Sequence, residues 1–343
     1  MPHLPRTAHD PVTGVDVAVP TADDVVEAAR RLQHEVVRTP LLESPRLNDR
    51  LGGRILIKAE SLQRVGAFKF RGAVNRISQL TEAERARGVL AFSSGNHAQA
   101  VAHAAERFGV SAVIVMPEDA PAIKIRNTRG YGAEVVLYDR YTQDREEVGR
   151  AIADDRGLVI VPPFNDPHIV AGQGTLGLEV IEQAAEMDAE LDAFVVCTSG
   201  GGLTAGCALI LDARSPGTEI WGVEPVDFDD TRRSLEAGER LRNDPDARSI
   251  CDAVQTETPG WLTWEINRRL MTGVLTATDD QALQAMAVAM EELKIVVEPG
   301  GAVALAAVLS GQLPVEGRTI AVVCSGGNAD PAMLARALTH SLE

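Results

Sequence analysis

Between Val89 and Pro163 short, continuously apolar runs alternate with helical stretches of about ten residues, without any internal sequence repeat. The runs are Val89-Leu90-Ala91-Phe92, Ala112-Val113-Ile114-Val115-Met116, Val135-Val136-Leu137-Tyr138 and Val159-Ile160-Val161. Helical periodicity covers Ala98 to Phe108, Ala122 to Arg129 and Asp144 to Asp155 between them. A strand that is apolar on every residue has no face to offer water. Such strands fit a parallel sheet with helices on both sides. A second series follows, with strands at Phe194–Cys197, Glu219–Val223 and Thr319–Val323 and helices at Thr175–Ala185, Leu203–Asp212, Asp280–Leu293 and Gly301–Leu309. Upstream, the pattern predicts a helix over Asp23–Gln33, a strand over Arg54–Lys58 and a helix over Ala73–Leu80. Residues 1–20 read as a flexible tail and 227–259 as polar and irregular. The expected fold class is α/β, with two open, twisted, mainly parallel sheets flanked by helices. A small domain is expected over 84–165 and a large one over 21–83 and 166–343. Ligands of open parallel sheets bind beyond the strands' carboxyl ends, so a site is expected between the two units.

The formal net charge of −16 argues against nucleic-acid or anionic-membrane partners. No run approaches the roughly 18 to 20 apolar residues that a membrane span needs. Met1-Pro2-His3-Leu4-Pro5-Arg6 carries no apolar core of a secretory signal. Cys197, Cys207, Cys251 and Cys324 are widely spaced with no Cys-x-x-Cys pair, which suits reduced thiols in the cytoplasm.

The chain has four lysines, Lys58, Lys69, Lys124 and Lys294. One lies in Gly66-Ala67-Phe68-Lys69-Phe70-Arg71-Gly72-Ala73, between two aromatic residues. A desolvated amine with a depressed pKa suits a Schiff-base lysine. The same residues also suit a helix start that buries Phe68 and leaves Lys69 in water. Three glycine turns follow strands: Ser93-Ser94-Gly95-Asn96, Ser199-Gly200-Gly201-Gly202 and Ser325-Gly326-Gly327-Asn328. Each can bring several backbone N–H groups to one anion and open a helix toward it. Their spacing fits neither a dinucleotide G-x-G-x-x-G nor a Walker A loop. One phosphate held by backbone amides, plus a lysine distant in sequence, meets the needs of pyridoxal 5′-phosphate.

In their order these motifs resemble the fold-type II pyridoxal-phosphate enzymes of the serine/threonine dehydratase and serine racemase family, over roughly Val25 to Leu338. The resemblance implies that Lys69 is the Schiff-base lysine, with Phe68 beside the pyridine ring. Ser93, Ser94, Asn96 and His97 would meet the substrate, and Asn96 also the ring 3′-oxygen. Ser199, Gly200, Gly201, Gly202 and Leu203 would hold the phosphate, and Ser325 would face the ring nitrogen as a neutral partner. Glu298, in Val297-Glu298-Pro299-Gly300-Gly301-Ala302, would sit near the cofactor. Lys69 and Ser94 would be the acid/base groups on the two faces of the substrate's Cα.

Glu224-Pro225-Val226-Asp227-Phe228-Asp229-Asp230 is similar to the family's divalent-cation site. There Glu224 and Asp230 would give carboxylates and Phe228 its carbonyl, to Mg²⁺, Mn²⁺ or Ca²⁺. A solvated acidic loop is the other reading. Arg145 stands where family members acting on dicarboxylates can present an arginine, but Asp144-Arg145-Glu146-Glu147 equally suits the solvated first turn of a helix. His97 either helps bind substrate or is a loop histidine packed on a neighbour. The expected activity is α,β-elimination from a β-hydroxy amino acid such as threonine, serine or 3-hydroxyaspartate, with racemisation on the same scaffold as the alternative. A homodimer or higher homo-oligomer is expected. The chain ends soon after Asn328, which implies a catabolic enzyme without a regulatory domain.

Overall fold

The computed structural model describes residues 4–93, 95–120, 122–139 and 142–340. Two sheets dominate it. The larger runs Gly273–Ala277, Glu219–Pro225, Ala193–Cys197, Thr319–Cys324, Arg54–Ala59, Leu41–Glu43 across its width. Its neighbours are parallel except Leu41–Glu43, which pairs antiparallel with Arg54–Ala59. The smaller sheet, Glu134–Tyr138, Ala112–Pro117, Val89–Phe92, Val159–Ile160, is parallel throughout. The continuous apolar runs are buried on every residue in Val89–Phe92, Ala112–Pro117 and Ala193–Cys197, as strands covered on both faces must be.

Several elements differ from the sequence expectation. The helix expected from Ala73 is Lys69–Ser78, so the lysine opens it. The helix expected from Thr175 starts two turns earlier, as Pro167–Glu186. Asp166 caps it, accepting from the N–H groups of His168 (2.8 Å) and Ile169 (3.0 Å), with Pro167 at the first position where its missing N–H costs nothing. Its glycines weaken the helical signal but are required by packing. A Cβ at Gly172 would lie 2.7 Å from Gly72 Cα, and one at Gly174 would lie 2.5 Å from the Gly206 carbonyl oxygen. Inside the stretch read as irregular, Asp230–Ala237 is helical, and Trp261–Leu270 and Gly273–Ala277 add a helix and an edge strand beyond it. The tail read as loose carries an antiparallel pair, Thr7–His9 with Asp16–Ala18. The Asp10 carboxylate closes its turn by accepting from Val12 N–H and the Thr13 hydroxyl, and Ala8 and Val19 are buried.

Beneath the Lys69 helix lies a buried charged cluster. Arg71, without exposed surface, donates to both oxygens of Glu60 (2.7 and 2.8 Å) and both of Glu179 (2.7 and 2.9 Å). Lys58, equally buried, donates to Glu179 (2.6 Å), Gln183 (2.7 Å) and the Thr39 carbonyl (2.7 Å). The cluster ties the Lys69 helix to the strand Arg54–Ala59 and the helix Pro167–Glu186.

Candidate active site

The strand ends of both sheets meet at a cleft holding a cavity of about 150 Å³, lined by residues from every glycine turn and from the Lys69 segment. The Lys69 segment is docked on the turn after the last strand: Phe68 N–H donates to Ser325 O (3.1 Å), Gly327 N–H donates to Gly66 O (2.9 Å), and Ala67 bridges to Gly326. The half-buried Lys69 thereby points into the cleft. Its Nζ donates to the Pro163 carbonyl (3.1 Å) and stands 5.1 Å from the centre of the Phe68 ring. Burial lowers its pKa to about 8, so near neutral pH a useful fraction is the free amine a nucleophile requires. The reading that leaves Lys69 in open water is thus excluded.

Across the cleft, Ser199-Gly200-Gly201-Gly202 leads from the strand Ala193–Cys197 into the helix Gly202–Arg214. The carbonyls of Gly200 and Gly201 face away, accepting from Thr263 Oγ1 (2.6 Å) and Asn267 Nδ2 (3.2 Å). Among the described residues none of the N–H groups of Gly200, Gly201, Gly202 and Leu203 donates to the protein. Gly201 has φ +83°, and a Cβ at Gly200 would lie 2.2 Å from the Phe164 ring. The turn therefore depends on glycine, and its free N–H groups at a helix start form an anion cradle. Ser199 Oγ bonds Thr256 Oγ1 (2.8 Å).

Ser325, buried, accepts at Oγ from the Cys197 thiol (3.2 Å), which leaves its own hydroxyl proton to donate. Glu298 is buried at the start of the helix Pro299–Leu309 and accepts from Asn96 Nδ2 (2.5 Å). Burial, and secondarily Asp252, push its pKa up to about 7. Asn328 Nδ2 donates to Asn96 Oδ1 and to Val65 O (both 2.8 Å), linking the asparagine turn to the last strand's turn and to the residue before the lysine segment. Ser93 lines the cleft, its Oγ accepting from Gly95 N–H (3.2 Å). Ser94 lies outside the described residues.

His97 is not a loop residue. It is the second residue of the helix Asn96–Phe108 and is buried. Nε2–H donates to Val161 O (2.9 Å) while Nδ1 has no partner. Burial, reinforced by the nearby Lys69 amine, depresses its pKa to about 3, so the ring is a neutral acceptor at the cleft wall. Arg145, exposed at the first position of the helix Arg145–Arg156, lines the cleft mouth. It is thus a residue of a helix first turn that also lines the cleft.

Sequence reasoning missed the pair facing it. Lys124 Nζ donates to Asp252 (2.6 Å) across the cleft mouth, from residues 128 apart in the chain. The scarcity of lysine was the one available signal. Phe164, which packs on the glycine turn, carried none.

The acidic segment is not a solvated loop. Glu224 lies in its strand fully buried, accepting from the N–H groups of Thr231 and Arg232 (3.0 Å each). Asp230 is buried too; one oxygen accepts from Asn243 Nδ2 (2.6 Å) and Oδ2 has no partner. Burial and then the Asp230 charge raise the Glu224 pKa well above the carboxylate range, and burial raises Asp230 to about 7. Phe228 is buried beside them. An orphaned carboxylate oxygen near a second buried carboxyl that lacks a cationic partner suits a cation, although among the described residues no set of three His, Cys, Asp or Glu side chains converges.

A dry amine, an anion cradle and a neutral hydroxyl in one cleft define a pyridoxal-phosphate enzyme. The chain belongs to the family described as "Pyridoxal-phosphate dependent enzyme", which it matches over residues 32–326. It is 44% identical over 313 residues to an L-threo-3-hydroxyaspartate ammonia-lyase of Saccharomyces cerevisiae, covering 91% of this chain and 94% of that protein. It is 40% identical over 315 residues to a serine racemase of Schizosaccharomyces pombe, covering 92% and 96%. In three dimensions it is similar to the maize serine racemase, with a TM-score of 0.87 at 36% identity over 94% of this chain and 98% of the other. Among the described residues no helix is long and apolar enough to cross a membrane.

Proposed function

We propose that this chain is an ammonia-lyase that removes the β-hydroxyl and the α-amine of a β-hydroxy amino acid, yielding a 2-oxo acid and ammonia. The observation that carries the reading is Lys69: an amine without a counter-charge, its pKa lowered to about 8, in one cleft with a glycine cradle and the Ser325 hydroxyl. When bound, pyridoxal phosphate supplies an electron sink for the bond broken at Cα.

In this reading Gly200, Gly201, Gly202 and Leu203 hold the phosphate by their N–H groups, with Ser199 at the cradle's edge. Ser325 would offer its hydroxyl proton to the ring nitrogen as a neutral partner. Asn96, held by Asn328 and Glu298, would meet the ring's oxygen, and Phe68 would lie beside the ring. Lys69 takes the Cα proton. Ser93, whose hydroxyl proton is free to donate, receives the substrate's carboxylate end, neutral His97 offers Nδ1 as an acceptor to a donor group of the substrate, and Ser94 serves the opposite face. Arg145 at the mouth favours a second carboxylate, in keeping with two relatives named as 3-hydroxyaspartate ammonia-lyases.

We further infer a cation held by Glu224, Asp230 and the Phe228 carbonyl, two domains divided at 84–165, a homodimer or larger assembly, and a cytoplasmic setting that suits four free, buried cysteines.

Incubation with L-threonine, L-serine and 3-hydroxyaspartate should release 2-oxo acid and ammonia, and Lys69→Ala should abolish both release and the yellow colour of the loaded protein. D-serine without pyruvate would instead identify a racemase, the reading favoured by the fission-yeast relative. A colourless wild-type protein that takes up no pyridoxal phosphate overturns both.

A further inference from the structure

Next to the cleft lies a second chamber of about 580 Å³, sharing Phe92, Arg145, Pro163, Phe164 and Thr256 with it. The turn of the N-terminal strand pair and the stretch around Arg240 and Trp261 form its other walls. Five carboxylates line it, and each is engaged. Asp10 closes its own turn, and Asp144 caps the helix Arg145–Arg156. Glu146 pairs with Arg150, Asp166 with Arg76, and Glu257 with Arg242. Two of the four lining arginines are thereby neutralised.

The other two are not. Among the described residues Arg145 makes no hydrogen bond or ion pair, and the half-buried Arg240 only donates from Nε to Pro259 O (2.8 Å), leaving its other nitrogens unbound. Arg145 comes from the small-sheet side and Arg240 from the large-sheet side, so the chamber is flanked by cations from both. Burial lowers the Arg240 pKa and Arg242 lowers it further, the signature of a guanidinium that lacks a counter-charge. Unpaired arginines are unexpected in a chain of net charge −16, where carboxylates are plentiful. Guanidinium groups match carboxylates in geometry, and a part-enclosed space strengthens the attraction.

We propose that this chamber is a binding site for small dicarboxylates, held by Arg240 and Arg145, from which a doubly negative substrate passes into the adjoining cleft. The passage of substrate rests on the ammonia-lyase reading; the binding of dicarboxylate does not. Arg240 is then a specificity-determining residue for charged over neutral substrates.

The test uses the protein loaded with pyridoxal phosphate, so that the glycine cradle is filled, and succinate as the probe in calorimetry at low salt. Wild type should bind succinate, Arg240→Gln should weaken binding at least about fivefold and Arg240→Lys should retain part of it, while Arg242→Gln/Glu257→Gln, which removes a paired arginine together with its carboxylate, should leave it unchanged. In the kinetic arm Arg240→Gln should raise KM for 3-hydroxyaspartate with kcat unchanged and leave L-serine turnover alone. The proposal falls if wild type binds no succinate, if Arg242→Gln/Glu257→Gln weakens binding as much as Arg240→Gln, or if both substrates lose equally. Failure of the wild type to form 2-oxo acid from any substrate would sink the ammonia-lyase reading and leave the calorimetry to judge the chamber.

Discussion

Arg71→Met tests whether the buried cluster holds the lysine helix in place. The substitution keeps much of the side chain's apolar volume and removes the charge that both Glu60 and Glu179 share. The two carboxylates should suffer unequally. Glu179 is partly exposed and keeps Lys58 at 2.6 Å, whereas Glu60 is fully buried and keeps only the Thr39 hydroxyl and a more distant Lys58. Removing one partner of a buried pair costs about 3 to 5 kcal/mol, a large share of a total stability of about 5 to 15 kcal/mol. The sign with pH follows from Glu60. In the wild type burial pushes its pKa up but Arg71 pulls it below the ordinary value, a contribution present above the unfolded pKa and lost as pH falls through the folded one. Without Arg71, burial prevails and the folded pKa rises, so the charged carboxylate costs stability as pH climbs. The deficit should therefore be larger at pH 8 than at pH 5. Urea unfolding followed by fluorescence of Trp221, Trp261 and Trp264 at the two pH values measures it. The double variant Arg71→Met/Glu60→Gln should recover most of the loss. A deficit below about 1 kcal/mol at pH 8, or a double variant no better than the single one, would refute the reasoning.

Three further outcomes are expected. Because burial sets the Lys69 pKa at about 8, uptake of pyridoxal phosphate by the apoprotein should quicken as pH rises from about 6.5 to about 8 and level off above, as followed by visible absorbance. Gly206→Ala puts a Cβ 2.2 Å from the Val170 carbonyl oxygen and 2.6 Å from Gly174 N, both backbone, so two helices must part; a cost of about 1 to 3 kcal/mol and weaker cofactor binding should appear in melting and titration experiments. Mg²⁺, Mn²⁺ or Ca²⁺ at about 100 times its dissociation constant should stabilise the fold by about 2.7 kcal/mol, read as a rise in Tm that Asp230→Asn abolishes.

What the amino-acid pattern discloses, and what it hides, follows the range of the forces involved. Strands such as Val89–Phe92 and Ala193–Cys197 are legible because their burial on both faces is written in consecutive residues. The glycine turns are legible because backbone approach to a ligand constrains a short local stretch. The helix Pro167–Glu186 begins earlier than its periodicity suggests because Gly172 and Gly174 answer to Gly72 and Gly206, residues far along the chain. The helix Asp230–Ala237 is hidden for a related reason: acidic residues that read as solvated are turned inward, with Asp230 buried near Glu224. Charge itself gives no sign of its partner. Lys58, Lys69 and Lys124 look alike in isolation, yet one is locked on Glu179, one is a dry amine in the cleft, and one spans the mouth to Asp252. Only the assembled fold separates them, and it does so through what each ammonium is denied. Lys58 and Lys124 each have a carboxylate oxygen at 2.6 Å, while Lys69 donates to a neutral carbonyl. Burial lowers the pKa of Lys58 as well as that of Lys69, but Lys58 is enclosed and held on Glu179, and Lys124 is held on Asp252; Lys69 alone of the three faces the cleft with no counter-charge, and that makes it the one fit for covalent chemistry.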